Sequence, residues 1–317
     1  MTILVTGGAG FIGSHLVSRL IGDGNEIHVM DNLSGGRMES LSGVIKHPRF
    51  RFIKHDLLHK DTLSFPKGCT TVYHLAANPE VRISAESPEV HFAQNVVATF
   101  NMLEAARRND TENILFTSTS TVYGDAAVMP TPETYSPMEP ISMYGASKLA
   151  CESIIASYAH TYGMRATIYR LANIIGEDST HGVIYDFISK LLKNPAELQI
   201  LGDGFQNKSY LHVSDCISAM IAASSAKGAV NVFNIGSQDQ ITVRDIAALV
   251  VREMRLTGVR MIYTGGVDNG RGWKGDVKNM LLDVSKITAG GWKPLYGSSE
   301  AVRLTAKKMV EGLVYPR

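Results

Sequence analysis

The feature that most constrains this chain is a glycine-rich turn set between a short apolar strand and a helical pattern. Gly7, Gly10 and Gly13 follow the strand predicted over residues 3–6 and open the helix predicted over residues 12–22. Gly7 permits a tight turn, Gly10 lets the backbone approach a pyrophosphate, and Gly13 lets the helix pack closely on the strand. The unbonded N–H groups at the start of such a helix attract phosphate oxygens. The pattern therefore predicts the first strand–turn–helix unit of a dinucleotide-binding domain.

An acidic residue follows the second predicted strand, residues 26–30. Asp31 stands where a carboxylate binds the adenosine ribose hydroxyls of a dinucleotide. The same carboxylate repels a 2′-phosphate, so the sequence favours NAD over NADP as the cofactor. The nearby Arg37 keeps NADP open as the alternative.

The first half of the chain alternates β-rich runs with longer helical patterns. This alternation predicts an α/β fold with a Rossmann-type doubly wound parallel sheet, because each helix returns the chain to start a parallel strand. The predicted strands are residues 3–6, 26–30, 50–54, 71–74, 114–118 and 165–170. The predicted helices are residues 12–22, 90–109 and 144–162.

The pattern changes after Arg170. Residues 173–182 and 202–208 are rich in Gly, Asn, Asp and Ser and are predicted as loops. Further elements are predicted at residues 184–193, 213–226, 231–235, 242–254 and 298–311. At 317 residues the chain is long enough for about two domains. We expect an NAD-binding domain of residues 1–171 plus about 213–237, and a smaller, interleaved C-terminal substrate domain of about 172–212 plus 238–317.

Composition excludes several classes of partner. Lys and Arg number 31 against 30 Asp and Glu, so a net charge of +1 offers no field for nucleic acid or an anionic membrane. No apolar run reaches the ~18 residues that cross a bilayer. His55 and His59 are four apart but lack a third ligand, so we expect no metal site. The three cysteines are scattered, which favours reduced thiols in a cytoplasmic protein.

A tyrosine and a lysine four residues apart open the helix predicted over residues 144–162. Tyr144 and Lys148 then lie on one face, one turn apart. A phenol is a poor base at neutral pH, but a neighbouring ammonium favours its phenolate. A hydroxyl-rich strand end at residues 117–124 lies upstream, where ligand groups collect in a doubly wound sheet. Tyr123 in that segment is the competing phenol, although no lysine follows it at helical spacing.

With these residues in place, the chain resembles the extended short-chain dehydrogenase/reductase family, in particular its nucleotide-sugar epimerases of the UDP-galactose 4-epimerase type. The resemblance runs from residue 6 to about residue 276, nearly the whole chain. The motifs are TGGAGFIGSHL at 6–16, Asp31-Asn32, His55-Asp56-Leu57, His74-Leu75-Ala76-Ala77, Asn95-Val96-Val97, STVYG at 120–124, YGASK at 144–148, Arg170-Leu171-Ala172-Asn173, Tyr210-Leu211-His212-Val213 and Gly275-Asp276.

The resemblance implies a set of cofactor contacts. The residues that would bind the pyrophosphate are Gly7, Gly10, Phe11 and Ile12. Those implied beside the adenosine are Asp31, Asn32, Ser34, Gly35, Asp56 and Leu57. Those implied along the NAD channel are Leu75, Ala76, Ala77 and, nearby, Asn95. Lys148 would bind the nicotinamide ribose, and Tyr144 would also contact the cofactor.

The resemblance also implies catalytic and substrate residues. Tyr144 is the implied base, and Thr119 matches the Ser or Thr that hydrogen-bonds the reacting hydroxyl. The implied substrate contacts are Thr119, Asn173, Lys208, Tyr210, Arg271 and Asp276. Lys208 stands where the family usually has Arg, so the charge is kept but the bidentate fork is lost. Trp273 occupies a second position where Arg is common, with Arg271 as the candidate replacement.

The implied activity is reversible, NAD-dependent epimerisation at C4 of a nucleotide-activated hexose of the UDP-glucose/UDP-galactose type, through a transient 4-keto intermediate. Related alternatives are epimerases of UDP-glucuronate or UDP-N-acetylhexosamines, a 4,6-dehydratase, a decarboxylase, a reductase and a non-catalytic dinucleotide sensor. Dehydratases usually follow the catalytic Thr with Asp-Glu, and UDP-glucuronate decarboxylases usually carry Glu where this chain has Thr121. Asp31 disfavours an NADPH reductase, and the intact Tyr144 and Lys148 disfavour a sensor.

Two finer expectations follow from the same resemblance. Helices 90–109 and 144–162 are those that pair across a two-fold axis in relatives, and Val97, Phe100, Met102, Ile154, Ile155 and Tyr158 give them extra apolar surface, so we expect a homodimer. Met280 stands where relatives place a large aromatic that excludes N-acetyl groups from the sugar site. Methionine is slimmer and flexible, which predicts a more permissive pocket; packing beside Leu281 and Leu282 is the alternative.

Overall fold

The chain folds around a seven-stranded parallel sheet. A computed structural model describes residues 1–314, with the side chains of all of these except 84, 85 and 314. The strands are β1 (Thr2–Thr6), β2 (Glu26–Asp31), β3 (Phe50–Lys54), β4 (Cys69–His74), β5 (Asn113–Thr119), β6 (Arg165–Leu171), β7 (Asn173–Ile175), β8 (Glu197–Ile200), β9 (Asn207–Lys208), β10 (Tyr210–His212), β11 (Val230–Ile235), β12 (Ile241–Thr242), β13 (Arg260–Tyr263) and β14 (Asn279–Met280).

The helices cover both faces of this sheet. They are α1 (Phe11–Gly22), α2 (Pro88–His91), α3 (Ala98–Arg108), α4 (Met143–Tyr162), α5 (Val183–Lys193), α6 (Val213–Ala223), α7 (Val243–Glu253), α8 (Ser285–Ala289) and α9 (Ser298–Val314). A π-helical turn, Phe92–Val97, joins α2 to α3. Short 3₁₀ turns lie at Met38–Leu41, Lys60–Thr62, Val81–Ala85 and Ser120–Tyr123.

The strand order of the large sheet is β11-β6-β5-β4-β1-β2-β3. The chain runs outward from β1 to β3 and then crosses back to place β4 on the other side of β1. This reversal opens a crevice at the carboxyl ends of β1 and β4, where sheets of this topology bind ligands. The predicted Rossmann-type α/β fold is confirmed.

Apolar side chains fill both sides of the sheet. One core cluster joins the sheet to α1 and α6 through buried residues such as Leu16 and Ile217. The opposite cluster joins it to α3 and α4 through Met102 and Ile155. A third cluster lies under the C-terminal region, where α5, α7 and α9 pack together. Helices α1 and α6 are therefore packed against one face of the sheet, and α3 and α4 against the other.

Helix α4 begins and ends where local chemistry requires it. The Ser142 side chain accepts a hydrogen bond from the Gly145 amide at 3.1 Å, which caps the first turn. Gly163 ends the helix with a φ of +73°, in the left-handed region that glycine adopts without strain. These two signals fix which residues occupy the first turn, where Tyr144 lies.

The structure corrects the predicted loops of the C-terminal half. Residues 173–182 and 202–208 contain β7 and β9, which pair with β10 and with β12 and β14. Strands of two or three residues are too short to show an alternating pattern, so their pairing depends on partners far along the chain. Within residues 1–314, no helix is both long and apolar enough to cross a bilayer.

The apolar residues of the two long helices divide between core and surface. Met102 and Ile155 are buried against the sheet, at 0% and 1% exposure, so these two residues lie on the core-facing side of their helices. Phe100 is 46% exposed and Phe92 is 54% exposed. The Phe100 ring lies edge-on to Tyr158, with centroids 6.3 Å apart. Exposed aromatic surface thus remains on this side of the molecule.

Candidate active site

A cavity of about 690 Å³ opens at the carboxyl ends of the sheet strands. Its wall combines turns that follow β1, β2, β4 and β5 with the first turn of α4 and with β7, β9 and β10. The predicted site residues that line it are Gly7, Gly10, Phe11, Ile12, Asp31, Asn32, Ser34, Gly35, Asp56, Leu57, Leu75, Ala76, Ala77, Thr119, Tyr144, Lys148, Asn173, Lys208, Tyr210 and Asp276.

Two predicted site residues do not line this cavity within the described chain. Asn95 is 1% exposed; it accepts a hydrogen bond from the Asn78 amide at 2.8 Å and donates one to Ser147 Oγ at 2.8 Å. Arg271 donates to Asp125, with Nη2 and Oδ2 2.7 Å apart. The direct contact of both side chains with a ligand stays a prediction.

The glycine turn leaves no room for side chains. Gly7 has a φ of +69°, and a Cβ there would lie 2.6 Å from the Ala76 nitrogen. A Cβ on Gly13 would lie 2.3 Å from the Gly7 carbonyl oxygen. Helix α1 begins directly after Gly10, and no side chain of residues 1–314 caps it. Its first N–H groups therefore remain available for phosphate oxygens.

Asp31 is held rigidly at the end of β2. The Ala9 amide donates to Asp31 Oδ2 at 3.0 Å, and the Leu33 amide donates to Oδ1 at 2.8 Å. Each carboxylate oxygen has two acceptor sites, so capacity for two ribose hydroxyls remains. The side chain is 8% exposed, which leaves it accessible from the cavity alone.

A second carboxylate lies beside this position. Asn32 Nδ2 donates to Asp56 Oδ2 at 3.0 Å, and the Leu58 amide donates to Oδ1 at 2.9 Å. Burial alone would raise the pKa of Asp56, but these hydrogen bonds outweigh it and hold that pKa below its usual value. Asp56 is therefore an ionised acceptor, as an exocyclic amino group of a base requires.

The structure brings Tyr144, Lys148 and Thr119 together at the middle of the wall. Lys148 Nζ donates to the Thr117 carbonyl at 2.8 Å and lies 4.5 Å from the Phe116 ring centroid. Burial lowers the pKa of Lys148 to about 8. Burial raises the pKa of Tyr144 to about 12, while a hydrogen bond with the Thr119 side chain opposes that rise. The site therefore combines a hydrogen-bonded phenol and an adjacent amine, with burial acting against the charged form of each.

The competing phenol, Tyr123, is outside the wall. Its hydroxyl donates to Asn234 Oδ1 at 2.8 Å and accepts from Arg170 Nη1 at 2.9 Å. The residue is 3% exposed, and burial raises the pKa of its phenol to about 12. Both functions of the hydroxyl are used within the core, so of these two candidate phenols Tyr144 is the one that lines the cavity.

Opposite charges meet at the far end of the cavity. Lys208 Nζ donates to Asp276 Oδ1 at 2.5 Å, and the Gly272 amide donates to Asp276 Oδ2 at 3.1 Å. The ammonium also lies 5.7 Å from the Trp273 ring centroid. Trp273 is thus a wall residue at the position where an arginine was expected, and the cation supplied there is Lys208.

Some wall residues were not selected from the sequence. Ser118 lines the cavity beside Thr119, and its hydroxyl donates to the buried Glu152 carboxylate. Its position in the hydroxyl-rich strand end was the available signal. Residues 179–184 also line the cavity, although nothing in their composition distinguishes a wall from a solvated loop.

The wall fits a dinucleotide. The tight glycine turn lines the cavity, the first amides of α1 have no side-chain cap, and an anchored carboxylate ends β2. The Tyr144–Lys148 pair lines the same cavity. A doubly wound sheet with these groups defines a class of dinucleotide-dependent enzymes. The chain belongs to the NAD dependent epimerase/dehydratase family, which matches residues 3–236.

Several known proteins are similar over the full length. A putative UDP-glucose 4-epimerase of Methanocaldococcus jannaschii is 35% identical, covering 95% of this chain and 96% of that protein. A crystal structure of a UDP-galactose 4-epimerase is 44% identical, with a TM-score of 0.87, covering 99% and 100%. A Thermus thermophilus UDP-glucose 4-epimerase, in complex with NAD, is 31% identical with a TM-score of 0.85, covering 98% and 99%.

Proposed function

We propose that this protein is an NAD-dependent isomerase that reversibly inverts C4 of a UDP-hexose of the UDP-glucose/UDP-galactose type. The observation that carries the proposal is the placement of Tyr144, hydrogen-bonded to Thr119 and one helical turn from Lys148, in the cavity that also holds the glycine turn. Relatives with this activity in their names match the chain from end to end. Fold alone would not decide between activities, because one fold supports many.

The NAD-binding end of the cavity is formed by α1 and the ends of β1, β2 and β4. We assign the pyrophosphate to the turn of Gly7, Gly10, Phe11 and Ile12, and the adenosine ribose to Asp31. NAD bound in this way supplies a reversible hydride acceptor for the sugar carbon. Dialysis tests this assignment. Wild type should retain NAD, whereas Asp31→Ala should lose it and discriminate less strongly against NADP.

Tyr144 is the proposed base for the C4 hydroxyl proton. At a pKa of about 12 the phenol would be protonated at neutral pH. The Lys148 ammonium and a positively charged nicotinamide ring both favour the phenolate, so the base becomes competent when the site is filled. Thr119 hydrogen-bonds with Tyr144, and it is therefore placed to orient the C4 hydroxyl that Tyr144 would deprotonate. Lys148 is also the proposed contact for the nicotinamide ribose.

The other end of the cavity is the proposed sugar-nucleotide site. Asn173, Tyr210, Lys208 and Asp276 all line it. Lys208 supplies positive charge for the diphosphate, and Asp276 supplies an acceptor for a ribose hydroxyl. Arg271 donates to the Asp276 carbonyl and to Asp125, which supports a role in holding this wall.

Neighbouring activities would need groups that this wall does not have at the relevant positions. After Thr119 come Ser120 and Thr121, and Thr121 Oγ1 lies 3.1 Å from Thr119 Oγ1. Neither hydroxyl can serve as the carboxylic acid that a dehydratase or decarboxylase uses there. Epimerases that act on UDP-glucuronate or N-acetylated hexoses remain as alternative substrates of the same chemistry.

Incubation with UDP-, dTDP- and GDP-hexoses, including glucuronate and N-acetylhexosamines, tests the proposal. Chromatography of the products should show interconversion of UDP-glucose and UDP-galactose, without free NADH and without added cofactor. Tyr144→Phe is the matched control, because it removes one hydroxyl. Products of dehydration or decarboxylation, or no product from any sugar nucleotide, would refute the proposed activity.

We further propose a cytoplasmic homodimer with the two-domain division predicted above. The exposed Phe92 and Phe100 support an interface on the α2–α3 side. The thiols of Cys69, Cys151 and Cys216 are free and buried, which supports a reducing compartment. Phe100→Glu should convert a dimer to a monomer in light scattering, whereas Tyr185→Glu on α5, also exposed, serves as the control. A monomeric wild type refutes the dimer.

A further inference from the structure

A buried ion pair lies behind the proposed base and is not used in the mechanism above. Glu152 and Arg170 have side-chain exposures of 6% and 5%. Arg170 Nη2 donates to Glu152 Oε2 at 2.6 Å, and its Nε lies 3.1 Å from both carboxylate oxygens. Buried pairs of this kind are costly to desolvate and are weak evidence for stability. Their position in the molecule therefore requires another explanation.

Glu152 continues the line of the catalytic side chains along α4. Tyr144, Lys148 and Glu152 are spaced by four residues, which places them on one helical face. The Ser118 hydroxyl donates to Glu152 Oε1, and Ser118 precedes Thr119 at the end of β5. Glu152 therefore connects the helix that carries Tyr144 to the strand end that carries its hydrogen-bond partner.

Arg170 holds the other side of the pair. Its Nη1 donates to the Tyr123 hydroxyl at 2.9 Å and to the Glu133 carbonyl at 3.0 Å. These contacts attach the pair to β6, to the turn after β5 and to residues 131–135, where Asn234 Nδ2 also donates to the Thr131 carbonyl. The guanidinium is thereby fixed on every side.

We propose that the Glu152–Arg170 pair is a positioning element of the active site, which locks Thr119 against Tyr144 and keeps the charge behind Lys148 balanced. This inference rests on the proposed function, because it takes Tyr144 as the base. Glu152 and Arg170 touch neither cavity nor ligand and act through Ser118 and Lys148.

The titratable groups around the Glu152–Arg170 pair do not compensate for a charge that a substitution removes from it. Those facing Tyr144, Lys148 or Glu152 are His74, His91, Tyr123, Cys151 and Arg170, and the Glu133 carboxylate faces Tyr123. Burial lowers the pKa of His74 to about 3 and also lowers that of His91, so both rings are neutral. Burial raises the pKa of the Cys151 thiol, which stays protonated. Removing one member of the pair therefore changes the net charge near the base.

The test compares pH–rate profiles of two single variants and their combination. Glu152→Gln leaves the guanidinium unpaired, so the phenolate is favoured and the acidic limb of kcat should move down by about one pH unit. Arg170→Met leaves the carboxylate, so the limb should move up by about the same amount. The double variant should return the limb to its wild-type position. Ser118→Ala removes the hydrogen bond to Glu152 without changing any charge. This variant should lower kcat several-fold and leave the acidic limb at its wild-type pH.

The controls separate this inference from the proposed function and from simple misfolding. Glu300→Gln breaks an exposed pair with Arg303 on α9 and should leave the profile unchanged. If either single variant fails to fold, the double variant and Arg170→Lys, which restores the charge, supply the comparison. NMR titration of ¹³Cζ-tyrosine, with the Tyr144 signal assigned by its loss in Tyr144→Phe, reads the base without turnover. The inference would be overturned if the acidic limbs of Glu152→Gln and Arg170→Met moved in the same direction or did not move. A wild-type kcat in Ser118→Ala would also overturn it.

Discussion

Lys208 Nζ lies 2.5 Å from Asp276 Oδ1, although 68 residues separate them in the chain. Both side chains line the cavity, and their exposures are 15% and 3%. Apart from Lys148, Lys208 is the lysine or arginine that the described wall offers to an anionic substrate. A bound diphosphate must therefore compete with Asp276 for the ammonium, and the released carboxylate gains acceptor capacity for a ribose hydroxyl.

Replacing this cation should weaken binding more than it slows chemistry. Lys208→Met removes a charge-assisted contact worth about 1.5–3 kcal/mol, so KM for the UDP-hexose should rise on the order of 10- to 100-fold with a smaller change in kcat. Lys208→Arg keeps the charge and should stay near wild type or bind more tightly. Steady-state kinetics at constant ionic strength measure both. An unchanged KM in Lys208→Met would show that the diphosphate lies elsewhere.

The second prediction separates the two candidate phenols. Tyr144→Phe should lower kcat by about 10²- to 10⁴-fold while NAD is retained, because only the proton-transfer group is removed. Tyr123→Phe should keep turnover within about tenfold and lose about 1 kcal/mol of unfolding free energy, since its hydroxyl is hydrogen-bonded in the core. Turnover numbers and urea denaturation provide the measurements. The reverse order of the two kcat values would make Tyr123 the base.

Local patterns were enough to predict several residues that line the cavity. The glycine turn, Asp31 and the Tyr144–Lys148 spacing each lie within one strand–turn–helix segment, where chain geometry follows from nearby residues. Six of the seven strands of the large sheet were predicted as strands for the same reason, because short runs rich in β-branched and aromatic residues are a local signal. Consistent local signals of this kind point to one fold.

The contacts that complete the site join distant segments and could not be predicted in this way. Arg271 and Asp125 are 146 residues apart, so the sequence, which offered Arg271 as a substrate contact, gave no sign of its ion pair with Asp125. The Glu152–Arg170 pair was invisible for the same reason, since burial of two charges depends on the packed helix and strand around them. Strands β9, β12 and β14 contain two residues each and carry no periodicity.

The buried Lys148 is predicted to lower the free energy of unfolding of the protein. Its pKa in the folded state is about 8, below the ordinary 10.5, because burial disfavours the ammonium. Between these values the unfolded chain binds more protons, so stability rises with pH across that window and the full penalty applies below pH 8. Lys148→Met should therefore stabilise the cofactor-free protein by about 2–3 kcal/mol at neutral pH while abolishing turnover.

Urea denaturation at neutral and alkaline pH measures this effect. The advantage of Lys148→Met over wild type should shrink as the pH rises from 8 towards 10.5. Lys190→Met, at an exposed ion pair on α5, is the control and should change stability by less than about 1 kcal/mol at either pH. A Lys148→Met protein less stable than wild type at neutral pH would show that the Thr117 hydrogen bond outweighs the burial of charge.

The last prediction concerns the breadth of the sugar site. Met280 lines the cavity and is 8% exposed, while it also belongs to the main core cluster. Its unbranched side chain can change rotamer and yield space, so we expect turnover of a UDP-N-acetylhexosamine as well as of UDP-glucose. Met280→Tyr should suppress the N-acetylated activity at least tenfold more than the other, because the ring occupies the space of the acetyl group.

Met280→Leu conserves volume and should change both activities by similar, small factors. Competition assays with both sugars in one reaction give the ratio of kcat/KM directly. Equal loss of the two activities in Met280→Tyr would show that residue 280 supports the core and does not select the sugar.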